Sequence, residues 1–196
     1  MSKYLWIILF FLVPIMVNAQ DKERRPWYIG FGIGTGFGAA WEVGGGEVTF
    51  DDWSEGMSNV GPKISLNFKV GGTLSPELLL GGDITAIAQQ STDALGEGWA
   101  QITNIFGVLT YFPVRSGPFV RGGGGFSNLL LEIDSVVGLN VREQYTGFGF
   151  LVGAGYAFWL GRRFNLTLNI DHARQFYSGD PDSSRFTIIY LGFDWY

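Results

Sequence analysis

The chain has no cysteine and a single histidine, His172. Without cysteine it is neither a lipoprotein nor a small secreted domain stapled by disulfides. Charge is scarce as well, at 16% of residues against about 25% in typical soluble domains. What charge there is runs negative, with a formal net of −5, so no basic face is available for a nucleic-acid partner. Beyond the leader, no segment approaches the roughly 18 uninterrupted apolar residues of a spanning helix, and that excludes a helical membrane protein. No spaced set of ligating residues calls for a metal or cofactor.

Glycine and aromatic residues are abundant instead, with 30 glycines and 16% aromatics. A chain that is apolar and glycine-rich but lacks spanning helices can still enter a membrane as a closed barrel. The leader fits export. Lys3 supplies the positive region, residues 4–17 are apolar and interrupted by Pro14, and Val17-Asn18-Ala19 forms a small-residue cleavage site before Gln20. The expected organisation is a cleaved signal peptide over 1–19 and one barrel domain over 20–196.

Alternation carries the fold. From Trp27 to Trp41 the odd positions are mostly large and apolar, while Gly30, Gly32, Gly34, Gly36 and Gly38 occupy the even ones. Ile64, Leu66, Phe68 and Val70 alternate with Lys63, Ser65, Asn67 and Lys69. Phe164, Leu166, Leu168 and Ile170 alternate with Asn165, Thr167, Asn169 and Asp171. Such segments are strands with one apolar face and one polar or tiny face. The glycines keep their period of two inside a strand, so they do not form a dinucleotide-binding turn.

The spacing predicts strands over 27–41, 61–73, 78–89, 100–112, 118–131, 145–158, 164–176 and 185–196. Short turns at 73–77, 113–118 and 159–163 alternate with longer polar connections at 42–60, 90–99, 132–144 and 177–184. That alternation matches periplasmic turns and external loops. The fold class is therefore all-β, an eight-stranded antiparallel up-and-down transmembrane β-barrel.

With its leader, its glycine/aromatic strands and its aromatic last strand over 187–196, the chain resembles the small OmpA/OmpX-type family of outer-membrane barrels. The resemblance implies residence in the cell outer membrane of a Gram-negative-type envelope, as a monomer. The partners it implies are outer-membrane lipids, lipopolysaccharide and the outer-membrane assembly machinery, with no nucleic acid. Ile189, Leu191, Phe193, Trp195 and Tyr196 look like the C-terminal signal read by that machinery. The first four share the outward register, which leaves Tyr190 and Asp194 inside and Tyr196 as one extra residue.

Parity places Lys63, Lys69, Asp83, Arg121, Asp171 and Asp194 in the barrel interior, with Asn67, Asn165 and Asn169 among them. Buried charges must pair, so these residues are expected to form a network that plugs the barrel. Eight strands leave an interior only wide enough for side chains. Function then falls to the external loops. The connection 42–60 carries Glu42, Glu47, Asp51, Asp52 and Glu55 without any lysine or arginine, and 177–184 carries Asp180 and Asp182. These carboxylates do not match a calcium loop and read as a solvated acidic face. The expected role is structural, adhesive or surface-interacting, without catalysis. The alternative is a lipid-modifying outer-membrane enzyme of the lipid A deacylase type. That reading rests on outward-facing His172, but Arg174 stands where the nucleophilic serine belongs, and the last strand has no glutamate.

Overall fold

The structure, a computed structural model, describes residues 24–55, 57–94, 96–135 and 140–196. The expected signal peptide lies outside the described residues. Ten strands and one short helix follow in order: β1 (Trp27–Val43), β2 (Gly46–Thr49), α1 (Phe50–Trp53), β3 (Asn59–Val60), β4 (Ile64–Ser75), β5 (Leu78–Asp93), β6 (Gly96–Tyr111), β7 (Gly117–Ser135), β8 (Asn140–Trp159), β9 (Phe164–Tyr177) and β10 (Ser183–Trp195). Each of the eight long strands pairs antiparallel with the next, and β10 returns to β1 from Ile29↔Trp195 up to Glu42↔Ser183. The sheet closes on itself, so the barrel wall has no edge.

The outer wall is apolar. Phe31, Ile33, Leu66, Ile105, Phe126, Phe148 and Val152 are each more than half exposed or close to it, as are Leu168, Leu191 and Trp195. Water does not solvate a continuous belt of this kind, and hydrocarbon does.

The inner wall has three levels. Nearest the short turns, Tyr28, Leu79, Phe112, Phe119 and Tyr196 form an aromatic floor. Tyr196, the extra residue of the outward register, turns inward here and stacks on Tyr28 at 5.8 Å and Trp159 at 5.6 Å. The charged residues lie above the floor. Higher still, Ile87, Ile102, Phe106, Leu129, Leu151, Phe186 and Ile188 form an apolar core. The alternation had suggested an interior of polar residues and glycine throughout, and this upper core corrects it.

The inward glycines make room for bulky side chains on the neighbouring strands. A Cβ at Gly32 would meet the Tyr190 ring at 2.6 Å, and one at Gly153 would collide with the Asp171 carboxylate. Gly38 does something else. Its φ of +60° builds a bulge where the β1–β10 register shifts between Phe37 and Ala40. Beyond the bulge the parity inverts, so Trp41 points inward and is 3% exposed, not outward as unbroken alternation required.

Two expected loops, 90–99 and 132–144, are mostly strand. β5 and β6 run through nearly all of 90–99, and β7 and β8 continue past 131 and before 145. The 42–60 connection holds β2, α1 and β3.

Candidate functional site

Two regions bring polar side chains together, the middle of the barrel and its open mouth. In the middle, Lys69 and Asp83 are cross-strand partners on β4 and β5. The Arg121 guanidinium, on β7, ion-pairs with Asp83 through Nη2. Its Nε stands 3.6 Å from Asp171 Oδ1. Arg121 Nη1 also donates to the Tyr190 hydroxyl at 3.0 Å, and that hydroxyl donates to Asp171 Oδ2 at 2.8 Å. Lys69 Nζ donates to Asn169 Oδ1 at 3.4 Å and lies 5.0 Å from the centre of the Tyr190 ring. Asp194 and Lys69 both lie opposite Gly30, one on each side, and a Cβ at Gly30 would collide with the Asp194 carboxylate. All five charged residues are buried.

Lys63 stands apart from this cluster. It precedes β4 at the open end, and its Nζ reaches both Asp51 oxygens at 2.7 Å. Asn67, Asn165 and Asn169 are buried on the inner wall. Asn67 Nδ2 donates to Thr85 at 2.7 Å, and Asn169 Nδ2 donates to Thr167 at 2.9 Å.

At the mouth, α1 inserts Phe50 into the top of the apolar core, where it is fully buried. Trp41 packs edge-on against Phe50 at 5.6 Å and against Trp53 at 5.7 Å. A capping box starts the helix. Asp52 N donates to Thr49 Oγ1 at 3.0 Å, and Thr49 N donates back to Asp52 Oδ2 at 2.9 Å. The acidic residues of 42–60 are solvent-accessible, as expected, and three of the five also carry an ion pair. Glu47 pairs with Arg185 at 2.6 Å, Glu42 with Arg174 at 3.6 Å, and Asp51 with Lys63. Asp180 Oδ1 accepts from Gly44 N at 3.1 Å. Acidic residues with cations on the wall thus strap α1 across the mouth. Alternation cannot reveal such pairs, because they join residues from distant strands.

The bonds from Thr49 hold the Asp52 carboxyl below its ordinary value. A group lowered on folding stabilises above its unfolded pKa, about 4, and that help is lost as pH falls through the lowered folded value. The mouth should therefore loosen only in strong acid. Acrylamide quenching of Trp41 and Trp53 should stay constant from neutrality down to about pH 5 and rise below pH 4, and Asp52→Ala should show the rise at neutral pH.

His172 sits on the outer wall of β9, half-buried, with Nδ1 2.9 Å from the Thr187 hydroxyl. Thr187 is directly opposite on β10 and was not visible as a partner from local sequence. A nucleophile–base pair would also need an acid to orient the imidazole. Neighbouring Asp171 points into the barrel, and the flanking Arg174 and Arg185 are held by Glu42 and Glu47. The arrangement is that of a polar residue at the upper border of the apolar belt. Among the described residues, no group of three or more acidic or histidine side chains is placed to hold a metal ion.

Above the belt, part of the β8 edge is unpaired among the described residues. Residues 140–146 of β8 pair with β7, from Asp134↔Asn140 to Asn128↔Thr146. The β8–β9 register begins only at Gly147↔Tyr177, so among the described residues nothing pairs with the other side of 140–146. This edge carries Val141, Arg142 and Glu143, all exposed. Arg142 is bridged to Glu132 at 3.0 Å, and Glu143 accepts from the Tyr145 hydroxyl at 2.9 Å.

No protein-family model matches the sequence, and no curated relative is similar to it in sequence. The structure is similar to that of Ail, the attachment invasion locus protein of Yersinia pestis, solved in complex with the heparin analogue sucrose octasulfate. The TM-score is 0.60 at 10% sequence identity, over 87% of this chain and 100% of that one. It is also similar to Neisserial surface protein A, with a TM-score of 0.51 at 14% identity, over 86% of this chain and 96% of that one. The fold is that of the small eight-stranded outer-membrane β-barrels.

Proposed function

We propose that this chain, built on the fold of the small outer-membrane barrels, is a monomeric surface protein of the cell outer membrane that binds partners through its protruding sheet. The observation that carries the reading is the unpaired edge at 140–146, held clear of the membrane belt by the β7–β8 hairpin. A free edge offers a row of backbone donors and acceptors to an extended partner, and pockets beside it select alternate side chains. The filled interior argues against a transport role. Floor, network, apolar core and the Phe50 plug fill the cross-section at successive levels.

Catalysis has no comparable support, since among the described residues no acid is placed to orient His172. An anionic glycan such as the one bound to Ail finds little purchase here, because Lys63, Arg142, Arg174 and Arg185 at the open end are each paired with a carboxylate. Lipopolysaccharide would border the wall at His172, and the last strand, from Ile189 to Tyr196, would be the segment offered to the assembly machinery.

A hairpin trim tests the edge. Replacing residues 132–142 with Asn-Gly removes the projecting end of the edge, residues 140–142, while Leu131 stays opposite Glu143 and the barrel register is preserved. A displayed library of extended peptides, panned against the intact protein in nanodiscs, should yield binders that lose affinity at least about tenfold on the trimmed barrel. Selected peptides that hold both proteins equally would place recognition elsewhere.

A further inference from the structure

The two ends of the barrel carry opposite charge. Glu42, Glu47, Asp51, Asp52, Asp180 and Asp182 gather at the open end, and every cation there is paired. At the short-turn end, Arg24, Arg25, Arg115, Arg162 and Arg163 stand against Glu77 as the one acidic side chain among the described residues. Two of these arginines are engaged. Arg115 bonds Glu77 at 2.6 Å and holds its carboxyl below the usual range. The Arg24 guanidinium lies 3.7 Å over the Phe112 ring and donates to the Pro76 carbonyl. Arg25, Arg162 and Arg163 are exposed and make no ion pair with any described residue.

Their position gives this imbalance meaning. Arg162 and Arg163 directly precede Phe164, and Arg25 lies two residues before Trp27. Phe164, Trp27 and Trp195 point outward, with Trp27 and Trp195 in edge contact at 6.0 Å. Exposed tryptophan and phenylalanine at the end of an apolar belt mark the level of the lipid head groups. The unpaired guanidinium groups therefore emerge at that level, with aliphatic stems free to lie along the belt and charged ends reaching outward.

We propose that the short-turn end is a binding surface for anionic phospholipid head groups of the leaflet in which this aromatic girdle sits. The planar guanidinium fork suits a phosphate diester, and a positively charged rim concentrates anionic lipid over zwitterionic lipid. An anionic periplasmic polymer is the less favoured occupant, because the free arginines flank lipid-facing rings and do not extend away from the wall. The inference rests on the membrane reading above.

Lipid selection by quenching tests it. The chain is refolded into phosphatidylcholine vesicles that contain an equal fraction of brominated phosphatidylcholine or brominated phosphatidylglycerol. Tryptophan fluorescence should be quenched severalfold more by the brominated phosphatidylglycerol at low salt. The preference should vanish in 1 M salt, where the screening length is about 3 Å. It should also vanish in the triple variant Arg25→Gln, Arg162→Gln, Arg163→Gln, and persist in the matching lysine variant. Boiling-dependent gel migration establishes that each variant is folded. Equal quenching by the two lipids in the inserted wild-type protein would overturn the proposal. So would retention on isolated peptidoglycan that needs these arginines in the absence of any lipid preference. Failure to insert into either vesicle would instead overturn the membrane reading beneath it.

Discussion

Replacing Arg121 with methionine should destabilise the folded barrel by about 3–5 kcal/mol, the usual cost of removing one partner from a buried ion pair. The guanidinium serves Asp83, Asp171 and the Tyr190 hydroxyl together, and all three are nearly excluded from solvent. Methionine matches much of its volume, so packing survives while two carboxylates lose their main counter-charge. Lys69 lies opposite Asp83, but its amine bonds Asn169 and gives Asp171 no equivalent fork. Unfolding midpoints in detergent read the effect. A double variant, Arg121→Met with Asp83→Asn, should recover part of the loss, because one of the stranded charges is gone. Equal midpoints for wild type and Arg121→Met would show that these groups are hydrated and do not pair in the barrel.

This cluster was legible because strand parity is a binary code. Lys69, Asp83, Asp171 and Asp194 each sit on a strand whose other face is largely apolar, so the inward side follows from neighbours two residues away. Arg121, beside the Gly122–Gly125 run, had only Val120 next to it to mark the outward face. Lys63 satisfied the same parity but lies one residue before β4, and it bends upward to Asp51 at the mouth. Tyr190 read simply as inward, yet its hydroxyl links Arg121 to Asp171. Nothing in the local sequence shows a contact that joins β7, β9 and β10.

The code fails where both faces share one character. On β6 and β7, Ile105 faces out while Phe106 faces in, and Leu129, Leu130 and Leu131 follow one another, so the apolar upper core leaves no alternating trace. Above the belt both faces of β5 are polar. Gln90, Ser91 and Thr92 therefore look like loop although they continue β5. The free edge at 140–146 was hidden for the same reason, because polar strand and polar loop have the same composition. Gly38 is the third kind of failure. It continues the glycine series yet takes a positive φ, and one residue of bulge sends Trp41 inside.

Leu191→Arg should cost roughly 2–4 kcal/mol, the penalty for arginine on the lipid face near the middle of the bilayer. Leu191 is 48% exposed, with Ile33 and Leu168 beside it on β1 and β9, and both of these also face outward. No neighbour in that row can receive a charge, and the side chain lies too far from either border for its end to reach head groups easily. Thr187 provides the contrast on the same face of the same strand. It lies opposite His172, two residues from Arg185, where the wall has already turned polar. Arginine at 187 should cost about 0–1 kcal/mol by the same depth dependence. Folded yield in vesicles, read from boiling-dependent gel migration, should therefore fall sharply for Leu191→Arg and little for Thr187→Arg. Equal yields would mean that residue 191 does not face hydrocarbon. Because parity binds the whole strand, Tyr190 and Asp194 would then leave the interior, and the network around Arg121 would lose the hydroxyl that connects it to Asp171.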